Sequence, residues 1–209
     1  MRRHVVTGAP GTGKTTLVDA LAHFGSIVAE PARELIAEQS ESTGEQSLDG
    51  TPHIFVERLI ARSVEKFDAA ADAERVIYDR GLPDCVAYAQ VFGVGPGPAL
   101  LAATARRYSN PVYIAPPWQS VYSVDEMRRA SFEQVVRFHN ELVTTYRSLD
   151  YELVELPQAP LVERVRVVTT RLHAASRNWH PAAHHRRSRI LRGETSAQAV
   201  PRIRPHTEG

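Results

Sequence analysis

Gly8-Ala9-Pro10-Gly11-Thr12-Gly13-Lys14-Thr15, entered from Arg3-His4-Val5-Val6-Thr7 and left through Thr16-Leu17-Val18-Asp19-Ala20-Leu21-Ala22, decides the reading of this chain. The first stretch fits the spacing G-x-x-x-x-G-K-[ST] at every fixed position. Glycines let the backbone turn so that consecutive N–H groups converge on one point, which is how a loop cradles phosphate. An apolar run before the loop reads as a short buried strand, and an apolar-faced helix after it adds the positive end of its dipole. Lys14 supplies a full charge for the outer phosphates, and Thr15 supplies a hydroxyl for a magnesium ion. Residues 8–16 are therefore expected to bind the polyphosphate of a nucleoside triphosphate, ATP as the donor, together with Mg²⁺.

Outward from the loop, strands and helices alternate, the signature of a parallel sheet covered on both faces. Further strands are expected at residues 26–30, 75–79, 111–115 and 151–156. Helices are expected at residues 32–40, 52–73, 82–91, 98–108, 131–149 and 160–173. The architecture predicted is α/β, three layers with a five-stranded parallel sheet and a short lid. It should form one domain over residues 1–174, since 209 residues suit one such domain and residues 175–209 lack apolar periodicity.

Bulk composition narrows the function classes. A hydrophobic fraction of 43% is ordinary for a globular protein, and no apolar run is long enough to span a bilayer. The amino end passes directly into the first strand, so it does not read as a signal peptide. A lone Cys85 excludes an internal disulfide framework, and a reduced, cytoplasmic setting is expected. Only Lys14 and Lys66 are lysines among 25 basic residues. The net charge of +1 conceals an asymmetry: from Ala174 onward there are seven arginines against two acids, leaving 18 basic and 22 acidic residues before it. That basic tail, expected to be disordered, is either an arm for nucleic acid or acidic lipid or, as the preferred reading, a passive extension.

Ligands of an open α/β sheet gather beyond the carboxyl ends of its strands. Asp79 follows the apolar Val76-Ile77-Tyr78 and is the expected second Mg²⁺ ligand with Thr15, the alternative being a helix cap. Arg80 is expected to clamp a phosphate or the acceptor, or else to form a surface ion pair with Asp84. Glu30 is a candidate general base, with Asp79 as the alternative base, and Arg33 is a candidate for orienting the acceptor, or Glu30 and Arg33 pair with each other at i and i+3. Arg128 and Arg129, steered by Asp125, are expected in a lid that closes over the triphosphate. Gln158, Ala159 and Pro160 are candidates for the edge of the base pocket. Trp118 and Tyr122 are candidates for stacking on a substrate ring or for simple packing.

With those residues in place, the chain resembles the AAA-type domain of ATPases shared with the NadR ribosylnicotinamide kinase. The resemblance rests on residues 5–16, Glu30-Pro31-Ala32-Arg33, residues 78–84, Ile114-Ala115-Pro116-Pro117-Trp118 and the spacing Tyr122-x-x-Asp125-x-x-Arg128. It implies a fold similar to nucleoside and nucleotide kinases, with the phosphate-loop strand in the middle of the sheet. Glu30-Pro31 resembles the acid–proline pair of nucleoside kinases, whose acid is the base, and Asp79-Arg80 resembles their acid–arginine pair. The implied activity is transfer of the ATP γ-phosphate to a small, nucleoside-like hydroxyl, with Lys14 and Arg128 neutralising charge. A nucleotide-dependent switch or ATPase without a small-molecule acceptor is the alternative.

Overall fold

The computed structural model describes residues 2–43, 51–121 and 130–177. Strands β1 (Arg2–Gly8), β2 (Ser26–Val28), β3 (Arg75–Asp79), β4 (Val112–Ala115) and β5 (Leu153–Glu155) form one sheet in the order β2-β3-β1-β4-β5. All four pairings are parallel, with Val6 opposite Asp79 on one side and Tyr113 on the other. The expected α/β architecture and five-stranded parallel sheet are what the chain forms, and β1 occupies its centre. Among the described residues six α-helices lie between the strands, α1 (Lys14–Ala20), α2 (Pro31–Thr43), α3 (Pro52–Ala69), α4 (Leu82–Val91), α5 (Gly97–Ala105) and α6 (Phe132–Ser148), and α7 (Leu161–Arg177) follows β5.

Side chains alternate across the strands, so each central strand feeds two layers. Val5, Val76, Tyr78, Val112 and Ile114 join a core built with α2 to α6. Val6, Ile77 and Tyr113 are as fully buried on the opposite side, where the Tyr113 hydroxyl donates to the Val168 carbonyl of α7 at 3.5 Å. Burial on both faces explains why these strands read as near-continuous apolar runs.

Several boundaries differ from the sequence expectation, for local reasons. Strand β2 stops at Val28, two residues short of Glu30, because Pro31 opens α2 and the chain leaves the ladder. Helix α5 ends at Ala105, since Arg106 adopts an extended backbone on the way to the cis Asn110–Pro111 bond. Helix α3 ends at Ala69 and α7 continues to Arg177. The compact unit that carries the sheet ends at Arg171. Among the described residues no helix is long and apolar enough to cross a membrane.

Candidate functional site

The loop between β1 and α1 is anchored by a close backbone approach. A Cβ on Gly8 would lie 2.2 Å from the Ala115 carbonyl oxygen, and Gly8 sits at φ +133°. Only glycine fits there. Ala9 N–H then donates to that carbonyl at 3.2 Å, tying the loop to the end of β4. Gly13, at φ +70°, turns the chain into α1. Inside the loop the Thr12 hydroxyl donates to the Ala9 carbonyl at 2.9 Å, and the Lys14 ammonium donates to the same carbonyl at 2.7 Å. Lys14 is 5% exposed. Burial, followed by the nearby charge of Arg80, lowers its pKa to about 7 against the pull of Glu30, Asp79 and Asp84.

Asp79 ends β3 beside this loop. Its Oδ2 accepts from the Thr15 hydroxyl at 2.8 Å, while Oδ1 is buried and has no hydrogen-bond partner among the described residues. Burial and then the Glu30 charge raise the Asp79 pKa. A hydroxyl and a carboxylate with a spare oxygen are hard donors, which suits Mg²⁺. No group of three His, Cys, Asp or Glu side chains able to hold a metal occurs among the described residues.

Glu30, Arg80 and Asp84 form a buried ionic chain along the adjoining strand ends. Arg80, 4% exposed, donates through Nε to Glu30 Oε1 at 2.5 Å and through Nη1 to Asp84 Oδ1 at 3.0 Å and the Gly8 carbonyl at 3.0 Å. The Arg80 backbone, at φ +70°, donates to the Val6 carbonyl at 3.0 Å. The other Glu30 oxygen lies 3.3 Å from Nε of Arg33, whose side chain is 50% exposed. Burial alone would raise the Glu30 pKa, but Arg80, Lys14 and Arg33 together hold it below the ordinary carboxylate range. Glu30 is thus kept ionised, with one oxygen engaged by Arg80 and the other by Arg33.

Two of the sequence readings are both realised here. Glu30 pairs with Arg33 at i and i+3, and Arg80 pairs with Asp84, although this pair is buried rather than on the surface. Sequence reasoning missed what holds the chain. Asp84 also accepts from the Thr7 hydroxyl at 2.6 Å, the Tyr146 hydroxyl at 2.6 Å and the Gly81 N–H at 2.9 Å. The spacing of four between Arg80 and Asp84 signalled their own ion pair; nothing local signalled Thr7 or Tyr146. The Arg80 guanidinium also lies 5.8 Å from the Tyr88 ring and 5.6 Å from the Phe138 ring. A crevice lined by Pro31, Ala32, Arg80, Cys85 and Tyr88 opens beside these groups.

The remaining candidates are dispersed. Gln158 Nε2 donates to the Pro117 carbonyl at 2.6 Å, joining the loops after β4 and β5. Trp118 is half-buried in the first of them. Tyr122, Asp125, Arg128 and Arg129 lie outside the described residues.

Residues 3–164 match the family model described as an AAA domain. The chain belongs to that AAA-domain family. No curated protein sequence matches it. Three solved structures are similar to it in fold. The deoxyadenosine kinase of M. mycoides aligns with a TM-score of 0.59 at 14% identity, covering 82% of this chain and 99% of that one. The NadR protein, solved in complex with NR, aligns at 0.57 and 21% identity over 74% of this chain; this chain covers 43% of that protein. Thymidylate kinase from Ehrlichia chaffeensis aligns at 0.55 and 17% identity, covering 81% of this chain and 99% of the other. At such identities the likeness is one of fold: a phosphate-loop α/β domain shared with nucleoside and nucleotide kinases.

Proposed function

We propose that this protein is a Mg²⁺-dependent phosphotransferase that moves the γ-phosphate of ATP to a hydroxyl of a small, nucleoside-like acceptor. The observation that carries the reading is Glu30. An ionised carboxylate sits between two arginines, one of which, Arg80, lines the crevice, and it is close enough to Lys14 and Asp79 for their charges to be felt. A switch that only binds and slowly hydrolyses nucleotide has no need of a second acid held there. The folds of deoxyadenosine kinase, thymidylate kinase and NadR support the same class.

In this reading backbone amides of residues 8–16 hold the triphosphate, and Lys14 exchanges the Ala9 carbonyl for phosphate oxygens. Thr15 and Asp79 would hold Mg²⁺, which offsets charge on the outer phosphates when bound. The acceptor occupies the crevice against Tyr88, and Arg33 orients it. Its hydroxyl proton passes to Glu30 as the new O–P bond forms and the β–γ bridging P–O bond breaks, with ADP as leaving group. Arg80 is given a bracing task in place of a phosphate clamp, since Glu30, Asp84 and the Gly8 carbonyl already engage it. Asp125, Arg128 and Arg129 keep the lid role that their sequence suggests, shielding the reaction from water. The chemistry is assigned to the domain over residues 1–174 and to the cytoplasm, and the basic stretch after it takes no part.

The test is a panel of nucleosides and cofactor precursors mixed with Mg-ATP, followed for ADP and for phosphorylated product. Acceptor-stimulated ADP release with a matching product is the expected result. Tight nucleotide binding with a flat panel returns the assignment to a nucleotide-dependent switch.

A further inference from the structure

A second buried arginine touches the phosphate loop from the opposite end of the chain. Arg164 lies in the first turn of α7, where its N–H donates to the Pro160 carbonyl at 3.3 Å. Its side chain is 5% exposed. Nη1 donates to the Thr12 carbonyl at 2.8 Å and lies 3.2 Å from the point where a Cβ on Gly13 would sit. Nε is buried and has no partner among the described residues. No carboxylate among the described residues forms an ion pair with it, and burial lowers its pKa with no acid acting the other way.

A guanidinium resists losing its proton, so burial leaves a full positive charge in a poor solvent. Such a charge ordinarily has an acid beside it, as Arg80 has two. Here its neighbour is a carbonyl of the loop whose amides are read as the anion nest. The missing counter-charge and the expected ligand are complementary.

We infer that Arg164 is a positioning residue of the phosphate loop, whose charge is balanced by the polyphosphate that the loop binds. It fixes the Thr12–Gly13 peptide through the carbonyl and adds a fixed positive potential behind the amides. The inference rests on the reading of residues 8–16 as a nucleotide site. It goes beyond that reading by making α7 part of the site, and by predicting that the free protein bears a cost which binding relieves.

The test uses the full chain, its Arg164→Met and Arg164→Lys variants, calorimetric titration and thermal unfolding. Arg164→Met keeps volume and removes charge. Without ligand its unfolding midpoint is expected to rise, or to fall by no more than about 3 °C. Its affinity for Mg-ATP is expected to drop on the order of tenfold, the size of one partly screened charge acting on a polyphosphate. Inorganic tripolyphosphate should lose a similar factor, which locates the effect at the phosphates and not at the base. Arg164→Lys, which keeps the charge, should recover most of both affinities. A merely structural arginine gives the opposite pattern: Arg164→Met unfolds early or fails to fold, while the protein that remains binds Mg-ATP normally. Either of those results overturns the inference. Unchanged affinity in Arg164→Met with a binding wild type overturns it alone; a wild type that binds neither Mg-ATP nor tripolyphosphate overturns it together with the nucleotide reading.

Discussion

Two arginines reach the phosphate loop at different carbonyls, Gly8 and Thr12, equally buried and unequally paired. Arg80 is enclosed by Glu30, Asp84 and the Gly8 carbonyl, so its charge is balanced within the chain. Arg164 meets the Thr12 carbonyl and no acid among the described residues. In the proposed reading the acceptor side of the site is therefore assembled before any ligand arrives, whereas the donor side is completed by one. That division suits a transfer enzyme. A general base must be held in place and ionised in advance, while a polyphosphate carries its own charge into the site.

Arg80→Met offers the strongest way to break the comparison. It leaves Asp84 a buried carboxylate without its counter-charge and Glu30 with only the half-exposed Arg33, so unfolding in urea should show a loss of roughly 3–5 kcal/mol. The same exchange at Arg164 should cost little or nothing. Matching losses at both positions would erase the distinction between a balanced and an unbalanced site.

Glu30→Gln keeps the shape of the acceptor side and removes its charge. Turnover with a productive acceptor should fall by about 10²–10³-fold, in the range of a lost general base. Mg-ATP affinity should stay within about twofold, since in this account Glu30 does not touch the donor. An equal loss in binding and turnover would move Glu30 to the donor side.

His4 shows a third way to bury a basic group. It lies within β1, 3% exposed, and neither ring nitrogen has a partner among the described residues. Burial, and then the charges of Arg75 and Arg2, lower its pKa to about 4. An unfolded histidine titrates near 6.5, so between those values the unfolded chain binds the proton more readily. Its contribution to stability is complete above about pH 6.5 and is lost as the pH falls through 4, on the order of 2–3 kcal/mol. Denaturant midpoints of wild type and His4→Phe across that range should converge or cross as pH falls, with the wild type showing the steeper decline. Parallel curves would mean that the ring is protonated or hydrated in the fold.

Tyr146→Phe removes only the hydroxyl that α6 offers to Asp84. About 1–1.5 kcal/mol of stability should go with it. Asp84 retains Thr7, Gly81 and Arg80 as partners, so the folded site should survive. A collapse of activity larger than the stability loss would mean that α6 helps aim Glu30.

Much of this was legible in the sequence because its cause is local. The loop needs its glycines and lysine within eight residues, and the strands announce themselves as apolar runs because both faces of the sheet are covered. Asp79 was legible as the polar residue that ends such a run. Glu30 and Arg33 were readable as a pair for the same local reason. What escaped depends on distance along the chain. Glu30 and Arg80 meet across β2 and β3, 50 residues apart; Asp84 and Tyr146 are separated by 62, and Thr12 and Arg164 by 152. Only the strand order, with β1 central and β3 beside it, brings those partners to one edge. Arg164 illustrates the limit well, since nothing within its own helix distinguishes it from Arg166 or Arg171.

The central claim, that residues 8–16 form a nest for a magnesium-bound polyphosphate, is tested most directly by calorimetric titration of wild type and Lys14→Ala with Mg-ATP. Saturable heat from the wild type, weakened at least about tenfold in Lys14→Ala, is the predicted result. A wild type that takes up no purine triphosphate in the presence of magnesium, or a Lys14→Ala variant that binds as tightly, would contradict it.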